Sequence, residues 1–248
     1  MEELIKFNEI TKKFGKTVAL NKVSFSINRA ETIGLIGNNG AGKTTTINLI
    51  CNIYKYDSGE ICIYDKLLTP NYVEYKNKMG FILSEPVYIK EFTVKRYWEF
   101  VCKFQKVEKD FCKERIKEMA RFLDIENQLN TEIQKLSSGN QMKVSIGASL
   151  IHNPEILVYD EPFINLDINT IQQLLELLKE IKKTKTIFIS SHSLDLVAEL
   201  CDTFLIMGKG QILLKIVKQD FESIEELKNF IKSKTVEKNI KANLEWLQ

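Results

Sequence analysis

Gly37, four intervening residues and then Gly42-Lys43-Thr44 form a spacing suited to one chemistry, the cradling of phosphates. Glycines at both ends let successive backbone N–H groups turn inward on phosphate oxygens. Lys43 then reaches the β- and γ-phosphates of a nucleotide, and the Thr44 hydroxyl ligates Mg²⁺. The residues set around the triphosphate are Gly37, Asn38, Asn39, Gly40, Ala41, Gly42, Lys43, Thr44 and Thr45. An incidental glycine-rich turn is the alternative, and the context speaks against it. The match follows an apolar run, Thr32 to Ile36, and opens a helical pattern with Ile47, Leu49 and Ile50, so a helix dipole adds to the anion site.

Phosphate chemistry also needs a group for the metal and one for water. The run Ile156-Leu157-Val158-Tyr159-Asp160-Glu161 is an apolar strand ending in two acids, and a carboxylate at the end of a buried strand stands beside the phosphate loop of a neighbouring strand. Asp160 suits the Mg²⁺ shell and Glu161 the attacking water. By itself an Asp-Glu pair after a strand is more often a solvated turn.

The elements that must position these residues follow from periodicity. Leu4 to Ile10, Val23 to Ile27 and Thr32 to Ile36 read as strands. From Phe92 to Leu129 the period is helical, with Val94, Tyr97, Trp98, Val101 and Phe104 on one face and Phe111, Ile116, Met119, Phe122 and Leu123 on another. Between Lys90 and Arg121 this block holds ten Lys or Arg against six acids, which reads as a solvated helix face. Strands at Ile156 to Tyr159, Thr186 to Ser190 and Thr203 to Met207 then alternate with helices near Ile171 to Ile181 and Leu194 to Leu200. Such alternation predicts a parallel sheet with helices on both faces. Gly208-Lys209-Gly210 reads as a hairpin turn into Gln211 to Val217. Phe221, Ile224, Leu227 and Ile231 make a terminal helix followed by a polar tail.

Composition excludes several classes. At 248 residues, 44% hydrophobic and 27% charged, the chain can bury its own core, which rules out disorder. Thirty-five Lys and Arg against 33 Asp and Glu give +2, too even for binding nucleic acid through bulk charge. Cys51, Cys62, Cys102, Cys112 and Cys201 are odd in number and scattered, so neither a disulfide framework nor a zinc site is expected, and a reducing cytosol fits. Met1-Glu2-Glu3 lacks the basic region of a signal peptide, and no apolar run approaches a membrane span, so a soluble chain is expected.

Leu136-Ser137-Ser138-Gly139-Asn140, just before the acidic strand, resembles the L-S-G-G-Q signature of the nucleotide-binding subunits of ATP-binding cassette (ABC) transporters. Read from the residues, Ser137 is an N-cap hydroxyl and Gly139 allows close backbone approach, so the segment is a second helix N-terminus able to hold an anion. The resemblance covers the chain to about residue 217. It implies an α/β P-loop NTPase (RecA-like) fold, with a parallel sheet core, an N-terminal antiparallel β subdomain and an inserted α-helical subdomain. The implied cassette spans 1–217, with the core and β subdomain at 1–90 and 139–217, the helical subdomain at 91–138, and a terminal helix and tail at 218–248.

Further residues take roles from the same resemblance. Ser137, Ser138, Gly139 and Asn140 would close over the γ-phosphate held by a partner subunit, although Ser138 replaces the usual second Gly and Asn140 the usual Gln. Phe14 looks like the aromatic residue that stacks on adenine; a core Phe at a strand end is the other reading. Asp167, in Asn165-Leu166-Asp167, looks like the D-loop that crosses to the other subunit. His192 looks like the switch histidine at the γ-phosphate, whereas His152 reads as structural. In Gly80 to Pro86 the family's Gln falls on Ser84, too short to reach the metal, and Glu85 is the candidate substitute.

These matches imply a cytoplasmic ATPase, peripheral on the cell membrane, with ATP and Mg²⁺ as cofactors. It would pair head to tail with a second nucleotide-binding subunit and drive a separate transmembrane permease, and the acidic loop leans toward export of a peptide, antibiotic or other small molecule. Catalysis would fall to Glu161, His192 and Lys43. Two rivals stand beside this: a regulatory module that binds ATP without turnover, which Ser84 and Ser138 favour, and a non-transport ABC ATPase, whose fused cassettes or long coiled coils do not fit in 248 residues.

Overall fold

A computed structural model describes residues 2–85 and 87–235. Its centre is a six-stranded sheet built from β3 (Thr32–Ile36), β6 (Met79–Ile82), β7 (Ile156–Asp160), β8 (Thr186–Ser190), β9 (Thr203–Gly208) and β10 (Gln211–Val217). The spatial order is β10-β9-β3-β8-β7-β6, parallel except for β10, which pairs antiparallel with β9 through the turn at Lys209-Gly210. Strands buried on both faces read as continuous apolar runs. The alternation of side chains splits them between two cores. Ile33, Leu35, Ile156, Val158, Phe188 and Leu205 face one core, and Leu157, Tyr159, Ile187, Ile189, Phe204 and Ile206 face the other.

The first core is closed by α1 (Lys43–Ile50) and a four-stranded antiparallel sheet of order β2-β1-β4-β5. Its members are β1 (Glu3–Phe14), β2 (Thr17–Asn28), β4 (Ser58–Ile63) and β5 (Lys66–Leu67). Strands β4, β5 and β6 were not predicted: Ser58–Ile63 carries only two fully buried residues, and Met79–Ile82 is too short to show a period. The second core is covered by α4 (Ser138–Leu150), α5 (Ile168–Ile181), α6 (Leu194–Leu200) and α7 (Ile224–Thr235). The separation after residue 217 is not a packing boundary, because Leu227 and Ile231 of α7 are fully buried in this core. The polar tail predicted beyond α7 lies outside the described residues.

The helical block consists of α2 (Val94–Phe104) and α3 (Lys109–Phe122), followed by two short 3-10 turns. Thr93 caps α2 by accepting from the Arg96 N–H at 3.2 Å. Val94, Trp98 and Cys102 recur every fourth residue and are buried, and the Trp98 indole N–H donates to the Val144 carbonyl of α4 at 2.9 Å. Gly147 of α4 makes room for the ring, since a Cβ there would stand 2.2 Å from Trp98 Cζ2. Two aromatic residues placed on the apolar helix faces point outward: Phe104 is 67% exposed and Phe111 53%. A helical period finds a stripe but not its edges, and both lie outside the stripe that meets α4.

Candidate functional site

All the parallel strands end at the same edge of the sheet, and this gathers the chemistry. Register places Ser190 at the end of β8 opposite both Leu35 of β3 and Asp160 of β7, and Ile82 of β6 opposite Tyr159. The loop after β3, the acids after β7, the Ser190-Ser191-His192 run after β8 and the Ser84-Glu85 segment after β6 are therefore neighbours. The chain crosses here between strands far apart in sequence, as ligand sites of open parallel sheets do.

The phosphate loop is tightly built. At Gly37 a Cβ would lie 2.3 Å from the Met207 carbonyl oxygen. At Gly42 φ is 108° and a Cβ would press on Leu20, Met207 and the Ala19 carbonyl at 2.8 to 2.9 Å, so both positions admit only glycine. Gly42 is the N-cap of α1 and supplies no side-chain cap, leaving the first N–H groups of that helix for an external acceptor. The Lys43 ammonium is buried and donates to the Gly37 carbonyl at 2.7 Å and the Asn38 carbonyl at 3.4 Å, which holds it inside the loop. Asn38, Asn39, Gly40 and Thr44 are exposed, Thr45 half-buried and Ala41 buried. A cleft of ≈ 360 Å³ borders the β9 side of this loop, lined by Asn38, Asn39, Lys209 and Lys234 among others. The acids stand on its β8 side.

Asp160 is 1% exposed; its Oδ1 accepts from the Ser190 hydroxyl, and its Oδ2 is buried with no hydrogen-bond partner. A buried carboxylate oxygen without a partner is costly, so the position is suited to a cation. Together with the Thr44 hydroxyl it would supply the hard oxygen donors that Mg²⁺ takes. The described residues hold no cluster of three or more His, Cys, Asp or Glu that could bind a metal alone, so phosphates and water would complete the shell. Glu161, next in the chain, adopts φ of 53°, the left-handed region that a non-glycine residue enters at a cost. Its N–H donates to the Ser190 carbonyl at 3.1 Å. Three donors converge on its Oε2: the Ser191 hydroxyl at 3.2 Å, the His192 backbone N–H at 3.2 Å and His192 Nδ1 at 2.8 Å. They fix the carboxylate and leave Oε1 for a water. With Nδ1–H donating to Glu161, the exposed imidazole presents Nε2 outward.

A glycine loop between a buried strand and a helix, with a strand-end acid pair beside it and a second helix N-terminus elsewhere, matches a known family. The family model described as ABC transporter matches residues 20–164. The chain belongs to the ABC transporter ATP-binding family. It is 33% identical to the zinc import ATP-binding protein ZnuC of Rickettsia prowazekii over 93% of each chain. It is 29% identical to the linearmycin resistance ATP-binding protein LnrL of Bacillus subtilis over 88% of this chain and 70% of that one. A solved dimeric bacterial ABC transporter cassette superposes with a TM-score of 0.79 at 25% identity, over 88% of this chain and all of that one. This ABC protein is thus the ATP-binding subunit of a transporter, and it is an ATPase.

The segment that resembles the cassette signature, 136–140, lies at the start of α4. Ser137 is the N-cap, accepting from the Asn140 N–H at 3.3 Å, and it and Ser138 are exposed. Asn140 is turned inward, its amide donating to Gln128 Oε1 at 3.0 Å. Gly139 packs on the backbone of the 165–167 turn of its own chain, where a Cβ would meet the Asn165 carbonyl oxygen at 2.7 Å. Asp167 is engaged in its own chain: it caps α5, accepting from the Thr170 N–H at 3.0 Å and the Thr170 hydroxyl at 2.6 Å, with Lys143 at 3.7 Å. Those Thr170 bonds hold its carboxyl down at about 2.

Phe14 ends β1, is 45% exposed, and sits edge-on to Tyr54 at 5.2 Å. Tyr54 was not anticipated; it follows α1 and meets Phe14 only through the fold. Ser190 and Ser191 were also given no role, although they hold Asp160 and Glu161. The only sequence signal for them was their place before His192. Ser84 is half-buried and Glu85 exposed, two and three residues beyond β6, next to the Asp160 strand. His152 accords with a structural reading on one side, its Nε2 donating to the Met79 carbonyl at 3.0 Å, and burial depresses its basicity.

Proposed function

We propose that this ATPase hydrolyses Mg-ATP at two composite sites in a head-to-tail dimer, each pairing one subunit's phosphate loop with the other's signature. Lys43 and the α1 N-terminus hold the β- and γ-phosphates. Thr44 and Asp160 would hold Mg²⁺, which would supply charge neutralisation at the phosphate oxygens. Glu161 orients the attacking water through Oε1 while Ser191 and His192 hold the carboxylate in place, and His192 turns its outer nitrogen to the γ-phosphate. Phe14, with Tyr54, offers the adenine surface. Ser137 and Ser138 supply hydroxyls to the partner's γ-phosphate, and Asp167 shapes the loop between the two sites.

The observation that carries this reading is the anchoring of Glu161 by three donors beside a buried Asp160 oxygen that no protein group satisfies. It also disfavours a module that binds ATP without turnover. The test is Glu161→Gln, which keeps the shape and the ATP affinity. Turnover is expected to fall on the order of a hundredfold or more, with an ATP-bound dimer accumulating. Near-normal turnover would remove Glu161 from the mechanism.

The permease is gripped in the cleft between the core and α2, around residues 81 to 92, with the ATPase on the cytoplasmic face of the membrane. Outward transport of a small molecule rests on the acid at Glu85 and agrees with the resistance protein among the relatives; the zinc import relative points the other way. ATP-driven uptake into inside-out vesicles would establish the outward direction, and its restriction to right-side-out vesicles would reverse it.

A further inference from the structure

Lys143 stands on α4 with its side chain inside the molecule. The residue is 8% exposed, and among the described residues its ammonium makes no hydrogen bond and a single ion pair, with Asp167 Oδ2 at 3.7 Å. A buried cation recovers its desolvation only when hydrogen bonds accompany the opposite charge, so this long pair adds little to stability, and an apolar side chain of similar length would serve the fold as well or better. Asp167 does not depend on it either. Its carboxylate already caps α5 by accepting from the Thr170 N–H and the Thr170 hydroxyl. Stability therefore does not account for a charge at position 143.

Its place in the fold does. Gly139 and Lys143 are four residues apart and so share one face of α4, and both meet the same short segment, Gly139 against the Asn165 carbonyl and Lys143 against Asp167. The start of α4 is thus joined to the start of α5 at two points. Around that junction the chain is open to the outside: Ser137 and Ser138 are exposed, the Asp167 side chain is 57% exposed, and Ile164 and Ile168 flank it at 40% and 78%. The segment offers apolar area to a partner. In the head-to-tail reading the start of α4 and the 165–167 turn are both surfaces that face the second subunit. Two patches that must meet one partner together bind best when their spacing is set beforehand, because the second contact then costs no further ordering.

We propose that Lys143 is a positioning residue: through its ion pair with Asp167 it holds the start of α4 and the 165–167 turn at the spacing that the second subunit requires. It acts through Asp167 and has no part in the phosphate chemistry. The proposal rests on the head-to-tail reading and adds to it a residue that the nucleotide site itself does not need.

The test uses the full chain carrying Glu161→Gln, in which the reading itself requires an ATP-bound dimer to accumulate, followed by sedimentation at saturating ATP. Adding Lys143→Met should raise the protein concentration needed for half-dimerisation by about tenfold. The urea midpoint should stay at or above the parent's, and the dilute monomer should bind a fluorescent ATP analogue within about twofold of the parent. Lys143→Arg, which keeps the charge, should dimerise within about twofold of the parent. In an Asp167→Ala chain the further change Lys143→Met should cause no added loss, since the pair is already broken. A merely structural lysine would lower the midpoint and leave dimerisation alone, and that result would overturn the proposal. So would equal losses from Lys143→Met and Lys143→Arg, or a further loss of about tenfold on top of Asp167→Ala. If Glu161→Gln alone forms no dimer with ATP, the head-to-tail reading falls and this proposal with it; if that dimer forms and Lys143→Met leaves it unaltered, only the role of Lys143 fails.

Discussion

Two helices of this ATPase, both proposed as anion sites, begin in opposite ways. α1 starts from Gly42, left-handed and without a capping side chain, with Lys43 drawn into the loop below it. α4 starts from Ser137, whose hydroxyl already satisfies the Asn140 N–H. One end is left unfinished by its own chain and the other is finished. On the proposed reading a phosphate would complete α1, whereas α4 would add only its dipole and its exposed hydroxyls to a phosphate already bound elsewhere. Monomer affinity should belong to α1, and dimerisation to α4.

That division can be broken or sharpened by substitution. The largest effect is expected from Trp98→Ala, which empties the contact positioning α4 and removes the indole hydrogen bond to the Val144 carbonyl. Loss of a buried aromatic residue costs about 3–5 kcal/mol, measured as a shift in urea midpoint. If the division is right, whatever folds will bind ATP normally as a monomer and dimerise poorly.

Lys43→Ala removes a charge-assisted contact to two phosphates and should weaken ATP binding by about ten- to a hundredfold, roughly 1.5–3 kcal/mol. Titration of a fluorescent ATP analogue reads this directly. Unchanged affinity would mean that α1 is not the phosphate site.

Ser138→Glu tests the other end. A carboxylate in the first turn of α4 favours its own helix by about 0.3–1 kcal/mol, yet faces the partner's γ-phosphate. Stability should hold or rise while ATP-induced dimerisation is lost. Gly139 is a poorer site for this test, because any side chain there displaces the Asn165 backbone of the same chain. Mixing Lys43→Ala with Ser138→Glu subunits leaves one site with both lesions and one with neither, so a heterodimer should regain association. If it does not, the signature acts within its own subunit.

The smallest effect is expected at Asp167. Removing this cap by Asp167→Ala should cost about 1 kcal/mol. The carboxyl is held near 2 in the folded chain, against about 3.9 when unfolded. Its contribution is therefore complete above the unfolded value and is lost as pH falls through about 2. The stability gap between parent and variant should stay constant from neutral pH to about 5 and close toward pH 2 in denaturant titrations. A gap independent of pH would mean that the capping oxygen acts without its charge.

Much of the site was legible because it is local. A buried strand, a glycine turn and a helix occupy nineteen consecutive residues, and Ser137 caps its helix through the N–H three residues on. What could not be read depends on partners remote in the chain. Ser190 supports Asp160 because β7 and β8 pair in one register, and Tyr54 meets Phe14 because α1 returns the chain to the end of β1. The outward turn of Phe104 and Phe111 was illegible for a related reason: both fit a helical stripe, and only the position of α4 decides which side of α2 and α3 is buried.

The sequence by itself determined the glycine turn before α1, the strand-end acids and the helix capped by Ser137, since each follows from backbone freedom, apolar runs or a hydroxyl at a fixed short offset. Tertiary structure alone decided that the loop after β3, the acids after β7 and His192 after β8 share one edge. It also committed Asp167 to its own helix and left a row of phenylalanines facing outward. The reason is one of range: local conformation is set by neighbouring residues, whereas sheet order and helix orientation are set by which apolar faces bury one another across the whole chain.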